Sequence, residues 1–347
     1  MKLVSTTLTG NNAELIGDAL RSVVDWVDAC VVIDTGVTDD SLTIARSVCG
    51  DKYVEHAFPW THDFAAARNF ALDVAHDIGG DWALTVDTDE RIELRGEPIR
   101  KAIETATEGV LMVTDETSTY AKERFFRLPS KARFRGPTHE CFPSYEVGSR
   151  VLDKARFIEL PKNPQAYRAK FERDAEILGS YTREHPDDPR WFYYLGDALQ
   201  NLARYDEAIG AYKACADLRG WNEESAWACY RAAECYIHDK RFVEAIDVCA
   251  AGLARHAGIA ELAWLAGFAS WQAGRPDQAV FWARMAIPMG LFRGRGKDAK
   301  RIGFRNMAAL YEGPYDVLRF ALRAVGDAAG ADEAERQYHE ALRVRRR

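Results

Sequence analysis

The stretch Trp82-Ala-Leu-Thr-Val-Asp87-Thr-Asp89-Glu90 indicates the fold of the first half of this chain. It is a short apolar run of strand type that ends in two carboxylates one residue apart. In an α/β sheet, the loop after a strand's carboxyl end faces the ligand crevice, so both carboxylates are expected to face a ligand. Hard carboxylate oxygens favour Mg²⁺ or Mn²⁺, which substrate phosphates also help to hold. An isolated Asp-x-Asp, by contrast, is most often a solvated turn.

Three further motifs accompany this loop. Upstream, the apolar run Ala29–Ile33 stops at Asp34-Thr-Gly36-Val37-Thr38-Asp39-Asp40 and then enters a helix pattern. Gly36 permits a tight turn, and the acidic residues after it suit a helix N-terminus. Asp63-Phe-Ala-Ala-Ala-Arg68-Asn69 follows, and Gly136-Pro-Thr-His139-Glu140 comes about fifty residues after the Asp87/Asp89 loop. Strand, glycine turn and acidic helix start form one unit of an α/β domain.

Strand-like and helix-like segments alternate up to about residue 160, beginning with the strand Leu3–Leu8 and a helix predicted over Ala13–Val27. This alternation favours a largely parallel sheet with helices on both faces. After Pro161-Lys-Asn-Pro164 the pattern is helical to the end. We therefore predict two domains, residues 1–162 and residues 163–347.

The helical part repeats. Small residues recur at Ala208, Ala245 and Ala279, which are 37 and 34 residues apart, in similar sequence surroundings. These intervals match the tetratricopeptide pattern, in which small residues let two antiparallel helices approach closely. A capping helix is predicted near 166–184 and a final half-repeat at 331–341, while the basic, glycine-rich stretch 290–297 interrupts the period.

Together, the four motifs resemble the family 2 glycosyltransferases of the GT-A fold, in the branch that carries tetratricopeptide-like helices behind the catalytic domain. The resemblance covers about the first 160 residues by ordered motifs and the rest by repeat pattern. It departs at two places. Gly10-Asn11-Asn12 stands where the family usually has Lys-Asn-Glu, and Val37 stands where a Ser is common. The first change removes a charge pair near the nucleotide, and the second removes a hydroxyl.

The resemblance implies a Rossmann-like nucleotide-diphospho-sugar transferase domain and a role for each motif residue. Glu140 would be the general base, with Glu90 as its rival, and Asp89 would be catalytic through a bound Mn²⁺ or Mg²⁺. The metal would lie on Asp87, Asp89 and His139. Substrate contacts would come from Leu8, Asn11, Asp34, Asp39, Arg68, Asn69 and His139.

The leading hypothesis is an inverting, metal-dependent hexosyltransferase that moves a sugar, most simply from UDP-hexose, to a glycan, lipid-linked or peptide acceptor. Two alternatives stay open. One is a non-catalytic tetratricopeptide interaction protein with a relict transferase domain. The other is a metal-dependent phosphohydrolase with Asp87 as its nucleophile, although such enzymes carry this motif on their first strand and here two motifs precede it. The helical repeats are expected to bind a protein partner or a second copy of the chain.

Bulk properties narrow the class of protein. A formal net charge of -7 argues against general nucleic-acid binding, which needs a broad cationic surface. No apolar run reaches the length of a membrane span, and the first residues lack the apolar region of a signal peptide. Seven scattered cysteines without a Cys-x-x-Cys pair suggest reduced, buried thiols and no zinc site. We therefore expect a cytoplasmic protein.

Overall fold

The computed structural model describes residues 1–95, 99–116, 120–294 and 304–346, and they divide into two compact units, Met1–Gln165 and Ala166–Arg347. The predicted domain boundary after residue 162 lies three residues before this division. The strands of the first unit are β1 (Leu3–Thr9), β2 (Ala29–Asp34), β3 (Tyr53–Ala57), β4 (Trp82–Thr85), β5 (Glu90–Leu94), β6 (Val110–Asp115), β7 (Ala121–Arg127) and β8 (Ser149–Glu159). Its helices are α1 (Ala13–Arg21), α2 (Ser41–Cys49), α3 (Phe64–Asp77), α4 (Ile99–Glu104) and α5 (Ser144–Val147).

Within the described residues these strands form one mixed sheet in the order β3-β2-β1-β4-β7-β6-β8-β5. The pairings β1/β2, β1/β4, β2/β3 and β6/β8 are parallel, and β4/β7, β6/β7 and β5/β8 are antiparallel. The expectation of a largely parallel sheet is thus right for the first half and wrong for the second. There, β6 and β7 follow each other across a short connection, which suits an antiparallel pair.

Apolar side chains of β2 alternate between the two faces of the sheet, as a strand covered on both sides requires. Cys30 and Val32 pack into one core with α1, α2 and α4, whereas Val31 and Ile33 pack into another with α3. The helix predicted over Ala13–Val27 ends early, at Arg21. After it the chain continues in tighter turns, and the Trp26 indole donates to the Ser22 carbonyl at 3.0 Å.

The second unit is helical wherever the structure describes regular elements. Its helices are α6 (Pro164–Glu184), α7 (Pro189–Asn201), α8 (Tyr205–Leu218), α9 (Asn222–His238), α10 (Phe242–Arg255), α11 (Ala260–Gln272), α12 (Pro276–Met289), α13 (Met307–Leu310), α14 (Gly313–Ala324) and α15 (Ala328–Arg345). Within this unit, a Cβ added at Gly196 of α7 would lie 2.6 Å from the Tyr212 ring of α8, so only glycine allows this approach.

The repeat alanines Ala208, Ala245 and Ala279 are fully buried, on α8, α10 and α12. Their burial agrees with the helix-pair packing predicted from their spacing. The helical character predicted for this half is therefore confirmed. Of the basic interruption, Arg293 forms an ion pair with Glu340 at 2.8 Å, and positions 295–297 lie outside the described residues.

All seven cysteines lie in the described ranges as free thiols, six of them buried. No helix in the described ranges combines the length and apolarity that crossing a bilayer demands.

Candidate active site at the carboxyl edge of the sheet

Two of the predicted motifs follow strands that flank β1 in the sheet, β2 and β4. Asp34 is the last residue of β2, where it lies opposite Thr9 of β1. Asp87 lies two residues beyond β4, which pairs with β1 on its other side. The carboxyl ends of parallel strands form a ligand crevice at such an edge. The structure therefore places Asp34 and Asp87 at the same edge of the sheet, as the sequence pattern predicts.

The loops after β1 and β2 are tied to each other. The Asn11 side chain donates to Thr38 Oγ1 at 2.9 Å and accepts from the Thr38 backbone N–H at 2.7 Å. Asp34 Oδ1 accepts from the backbone N–H groups of Gly36 and Val37 at 2.8 and 2.7 Å. Its other oxygen, Oδ2, makes no hydrogen bond within the described part of the chain. Gly36, at φ 108°, provides the left-handed turn that this arrangement needs.

Asp39 performs two capping tasks in this structure. Its Oδ1 accepts from the Ser41 backbone at 2.9 Å and from the Ser41 hydroxyl, and its Oδ2 accepts from the Ala13 backbone at 3.1 Å. The bond from the Ser41 hydroxyl is the main cause that lowers the pKa of Asp39. The carboxylate thus holds the starts of α1 and α2, and its contact with a donor stays a prediction.

Helix α3 clamps the segment Phe134–Glu140, which contains the Gly136–Glu140 motif, at three points. The Phe64 backbone N–H donates to the Pro137 carbonyl at 2.8 Å. Asn69 exchanges two hydrogen bonds with the Phe134 backbone, at 3.0 and 2.9 Å. Arg68 Nε donates to Glu140 Oε1. Asn69 therefore positions the loop here, and its predicted substrate contact also stays a prediction.

His139 adopts an unusual backbone conformation in this loop. Its φ of 49° lies in the left-handed region, which side chains with a Cβ seldom occupy. Strained residues of this kind cluster at functional sites, where the surrounding structure holds them in place. The fixed loop sets the direction in which the neighbouring Glu140 leaves the backbone.

Arg68 joins two motifs that are far apart in the sequence. Besides Glu140 it binds Asp87, with Nη2 donating to Oδ1 at 2.8 Å. Asp87 Oδ2 lies 3.3 Å from Arg124 Nη2, so both carboxylate oxygens face guanidinium groups. Burial alone would raise the pKa of Asp87, but the two arginines hold it well below its usual range. Asp87 is therefore ionised at any physiological pH.

A second layer of charge lies behind Asp87. Glu90 is 1% exposed and accepts from Arg124 at 2.7 Å and from Lys122 at 2.9 Å. It is paired across strands with Glu159, and directly opposed like charges destabilise a sheet. Lys122 bridges the two carboxylates, which removes that repulsion. Glu90 is thus held inside the protein by cations.

Asp89 occupies a different setting. Lys162, just beyond β8, forms an ion pair with its Oδ2, and both side chains keep about a third of their surface exposed. The Leu160 backbone N–H also donates to the Asp89 carbonyl at 2.9 Å. Water reaches this carboxylate, so a ligand can exchange with Lys162 at little cost. Among the described residues, no group of three or more His, Cys, Asp and Glu side chains is arranged to hold a metal.

Sequence reasoning missed Lys122, Arg124 and Lys162. Lys122 and Arg124 lie two apart on β7, so they share one face of the strand. That alternation is visible in Ala121-Lys-Glu-Arg-Phe-Phe-Arg127. The alternation brings Arg124 to Asp87 and Glu90 only because β7 pairs antiparallel with β4, and the sequence does not reveal this pairing.

We predict that Arg124→Met lowers the free energy of unfolding by about 3–5 kcal/mol, because it leaves the buried Glu90 with one cation fewer. Urea unfolding measures this. The control is Arg133→Met, which removes an exposed arginine paired with Asp73 and should cost less than about 1 kcal/mol. Equal losses in the two variants would show that the buried network does not stabilise the fold.

Comparison with known proteins places this domain in a family. Residues 7–171, a little under half of the chain, match the family described as Glycosyl transferase family 2. This confirms the resemblance inferred from the four motifs and the α/β fold class expected from it.

The chain is 28% identical over 207 residues to a TPR repeat-containing protein of Synechococcus elongatus, covering 54% of this chain and 50% of that protein. It is 24% identical over 217 residues to the prophage-derived glycosyltransferase SunS of Bacillus subtilis, covering 58% and 50%. It thus spans about half the length of these curated relatives. Among solved structures, MamA from Desulfovibrio magneticus is 20% identical with a TM-score of 0.38, covering 52% of this chain and 95% of that one.

Proposed function

We propose that the chain transfers a sugar from a nucleotide-sugar donor, most simply UDP-hexose, to a glycan, lipid-linked or peptide acceptor, with inversion at the anomeric carbon. The observation that carries the proposal is the ion network of Arg68, Asp87 and Glu140. Arg68 lies 19 residues from Asp87 and 72 from Glu140, yet it binds both. Perturbed, partly buried charges at a ligand-binding edge are typical of active sites, and the family match supports the same reading.

The donor nucleotide would bind over β1 and β2. Asp34 has one oxygen engaged with the turn, which leaves Oδ2 to accept from a ribose hydroxyl or a uracil N–H. Leu8, half-buried near the end of β1, offers an apolar surface beside it. Asn11 orders the neighbouring loop through Thr38 and so shapes the entrance to this site.

Mn²⁺ or Mg²⁺ fits the donor set at the end of β4. Asp89 supplies a partly exposed, hard carboxylate, and Asp87 lies two residues before it. Since such ions take one or two protein carboxylates and complete their shell with phosphate and water, a cluster of three protein ligands is not required. His139 is the further ligand that we propose, although in this structure it does not form a three-residue metal site with Asp87 and Asp89. When bound, the ion neutralises charge on the leaving diphosphate.

Glu140 is better placed than Glu90 to take the acceptor's proton. The Glu140 side chain is 14% exposed and is held by a single arginine, whereas Glu90 is almost fully buried and is held by Arg124 and Lys122. A base must reach the proton that it removes. Glu90 instead fixes Arg124, which in turn holds Asp87.

We assign protein recognition to the helical unit, through which a protein partner, a second copy of the chain or a peptide acceptor would bind. Stacked helix pairs of this kind commonly offer extended binding surfaces.

Thermal unfolding of the full chain with a panel of UDP-, GDP- and dTDP-hexoses in Mn²⁺ tests the proposal. A ligand at a hundred times its dissociation constant stabilises by about 2.7 kcal/mol, which raises the melting temperature measurably. We expect UDP-sugars to give the largest shift. If no nucleotide sugar shifts the transition at millimolar concentration, the transferase proposal fails.

A further inference from the structure

Within the helical unit, three aromatic side chains surround one residue of a non-helical segment. Phe304 lies 5.3 Å from the ring of Tyr193 on α7, 5.7 Å from Trp221 and 5.6 Å from Trp227 on α9, measured between ring centroids. The rings of Phe304 and Trp227 are nearly parallel, at 12°. We call Tyr193, Trp221 and Trp227 the aromatic cradle. Stacked and tilted rings at these distances attract beyond their buried area.

Hydrogen bonds fix the same segment two residues later. The Asn306 backbone N–H donates to Glu261 Oε1 of α11 at 3.1 Å, and its side-chain amide donates to the Tyr230 hydroxyl at 2.9 Å. Tyr230 itself stacks on Trp227, with ring centroids 4.4 Å apart. The helices thus bind one aromatic ring, one backbone N–H and one side-chain amide of an extended segment.

Three buried glutamates lie near this segment. Glu261 is fully buried, and Glu223 and Glu224, two and three residues after Trp221, are 2% and 5% exposed. Burial raises the pKa of Glu224. Arg305, between the two anchoring residues, is exposed and brings a positive charge to this surface. The contact that fixes the segment here is the hydrogen bond from the Asn306 backbone to the buried Glu261 carboxylate.

A tryptophan that only fills the core between helices is expected to be almost completely buried. Trp221 nevertheless keeps 41% of its surface exposed while it contacts Phe304. Amphipathic rings that stay partly exposed beside hydrogen-bonding side chains are typical of recognition surfaces. The segment also lies outside regular secondary structure up to the start of α13 at Met307.

We propose that the aromatic cradle, with Tyr230 and Glu261, is a recognition site for an extended segment of a partner polypeptide that carries an aromatic residue and, two positions later, an asparagine. Phe304–Asn306 is its built-in occupant. Because a tethered segment acts at an effective concentration of about millimolar, a partner must displace it to bind. The inference rests on the protein recognition proposed for the helical unit, and its test is independent of sugar transfer.

The test uses the full chain and a fluorescein-labelled peptide, Phe-Arg-Asn-Met-Ala, that copies residues 304–308, with binding followed by anisotropy. Phe304→Ala/Asn306→Ala empties the site and should bind the peptide at least about tenfold more tightly than the wild-type chain. Phe281→Ala, which removes a 58% exposed ring elsewhere in the unit, is the matched control and should behave as wild type. Adding Trp221→Ala to the double variant should abolish binding of the peptide. Replacing the Phe of the peptide by Ala should abolish binding as well.

A double variant that melts like the wild type but does not bind millimolar peptide would overturn the proposal. If the double variant unfolds, the proposal is tested on the wild-type chain by a second measurement. Hydrogen exchange of the Asn306 amide, which is bonded to Glu261, should quicken several-fold when millimolar peptide displaces the segment. An unchanged exchange rate would overturn the proposal equally.

Discussion

Glu140→Gln is expected to lower the rate of transfer to a hydroxyl acceptor by about 10²- to 10⁴-fold, the usual contribution of a general base. The amide keeps the size of the side chain and can still accept from Arg68 Nε. Donor affinity should therefore survive. Initial rates at saturating donor, combined with donor binding by calorimetry, separate these two effects.

The control for this prediction is Glu146→Gln, which changes a more exposed glutamate that pairs with Arg135 at 3.2 Å and should leave the rate unchanged. The acceptor chemistry can be read from the pH dependence. A thiol with a pKa near 8.5 already supplies some thiolate, so with a cysteine acceptor the loss should be milder and shrink as pH rises. A parental rate with a hydroxyl acceptor from about pH 6 to 9 would exclude Glu140 and direct attention to Glu90.

Asp89→Asn should remove most turnover, by about 10²- to 10³-fold, because it deletes a charge that faces the crevice and is proposed to hold the cation. The fold should survive. Lys162, the partner that loses its ion pair, is 35% exposed and can be solvated, so the stability cost should stay below about 1 kcal/mol. Circular dichroism, urea unfolding and an activity assay measure the three quantities.

Asp73→Asn provides the matched control, since Asp73 is an exposed carboxylate on α3 that pairs with Arg133. It should change neither turnover nor the fold. Normal turnover of the Asp89 variant, or its unfolding, would show that this carboxylate does not serve the reaction in the way proposed.

The sequence predicts the strand before Asp87 and the buried alanines of the repeats because local signals control them. The buried strand Trp82–Thr85 and the carboxylates after it are readable as an apolar run with an acidic end. The buried alanines of the helical unit are readable from their period. Both signals depend only on residues close to one another along the chain, so they can be read from the sequence alone.

The ion network could not be predicted in the same way. Arg124 meets Asp87 and Glu90 only because β7 runs antiparallel beside β4, and Lys122 meets Glu159 only because β5 pairs with β8. Asp39 and Asn69 illustrate the converse. Their motif positions predicted ligand contacts, and the acidic residues after Gly36 also suited a helix start. The bonds from Ala13 to Asp39 and from Phe134 to Asn69 link distant segments, and no spacing rule reveals them.

Calorimetric titration of the full chain with UDP, in Mn²⁺ and again in EDTA, tests the central claim most directly. If Asp89 and Asp87 hold a cation that bridges to the diphosphate, binding in Mn²⁺ should be at least about tenfold tighter, or about 1.4 kcal/mol more favourable. Asp89→Asn should lose this difference. Equal dissociation constants for the wild-type chain in Mn²⁺ and in EDTA would contradict the metal-dependent nucleotide site on which the account depends.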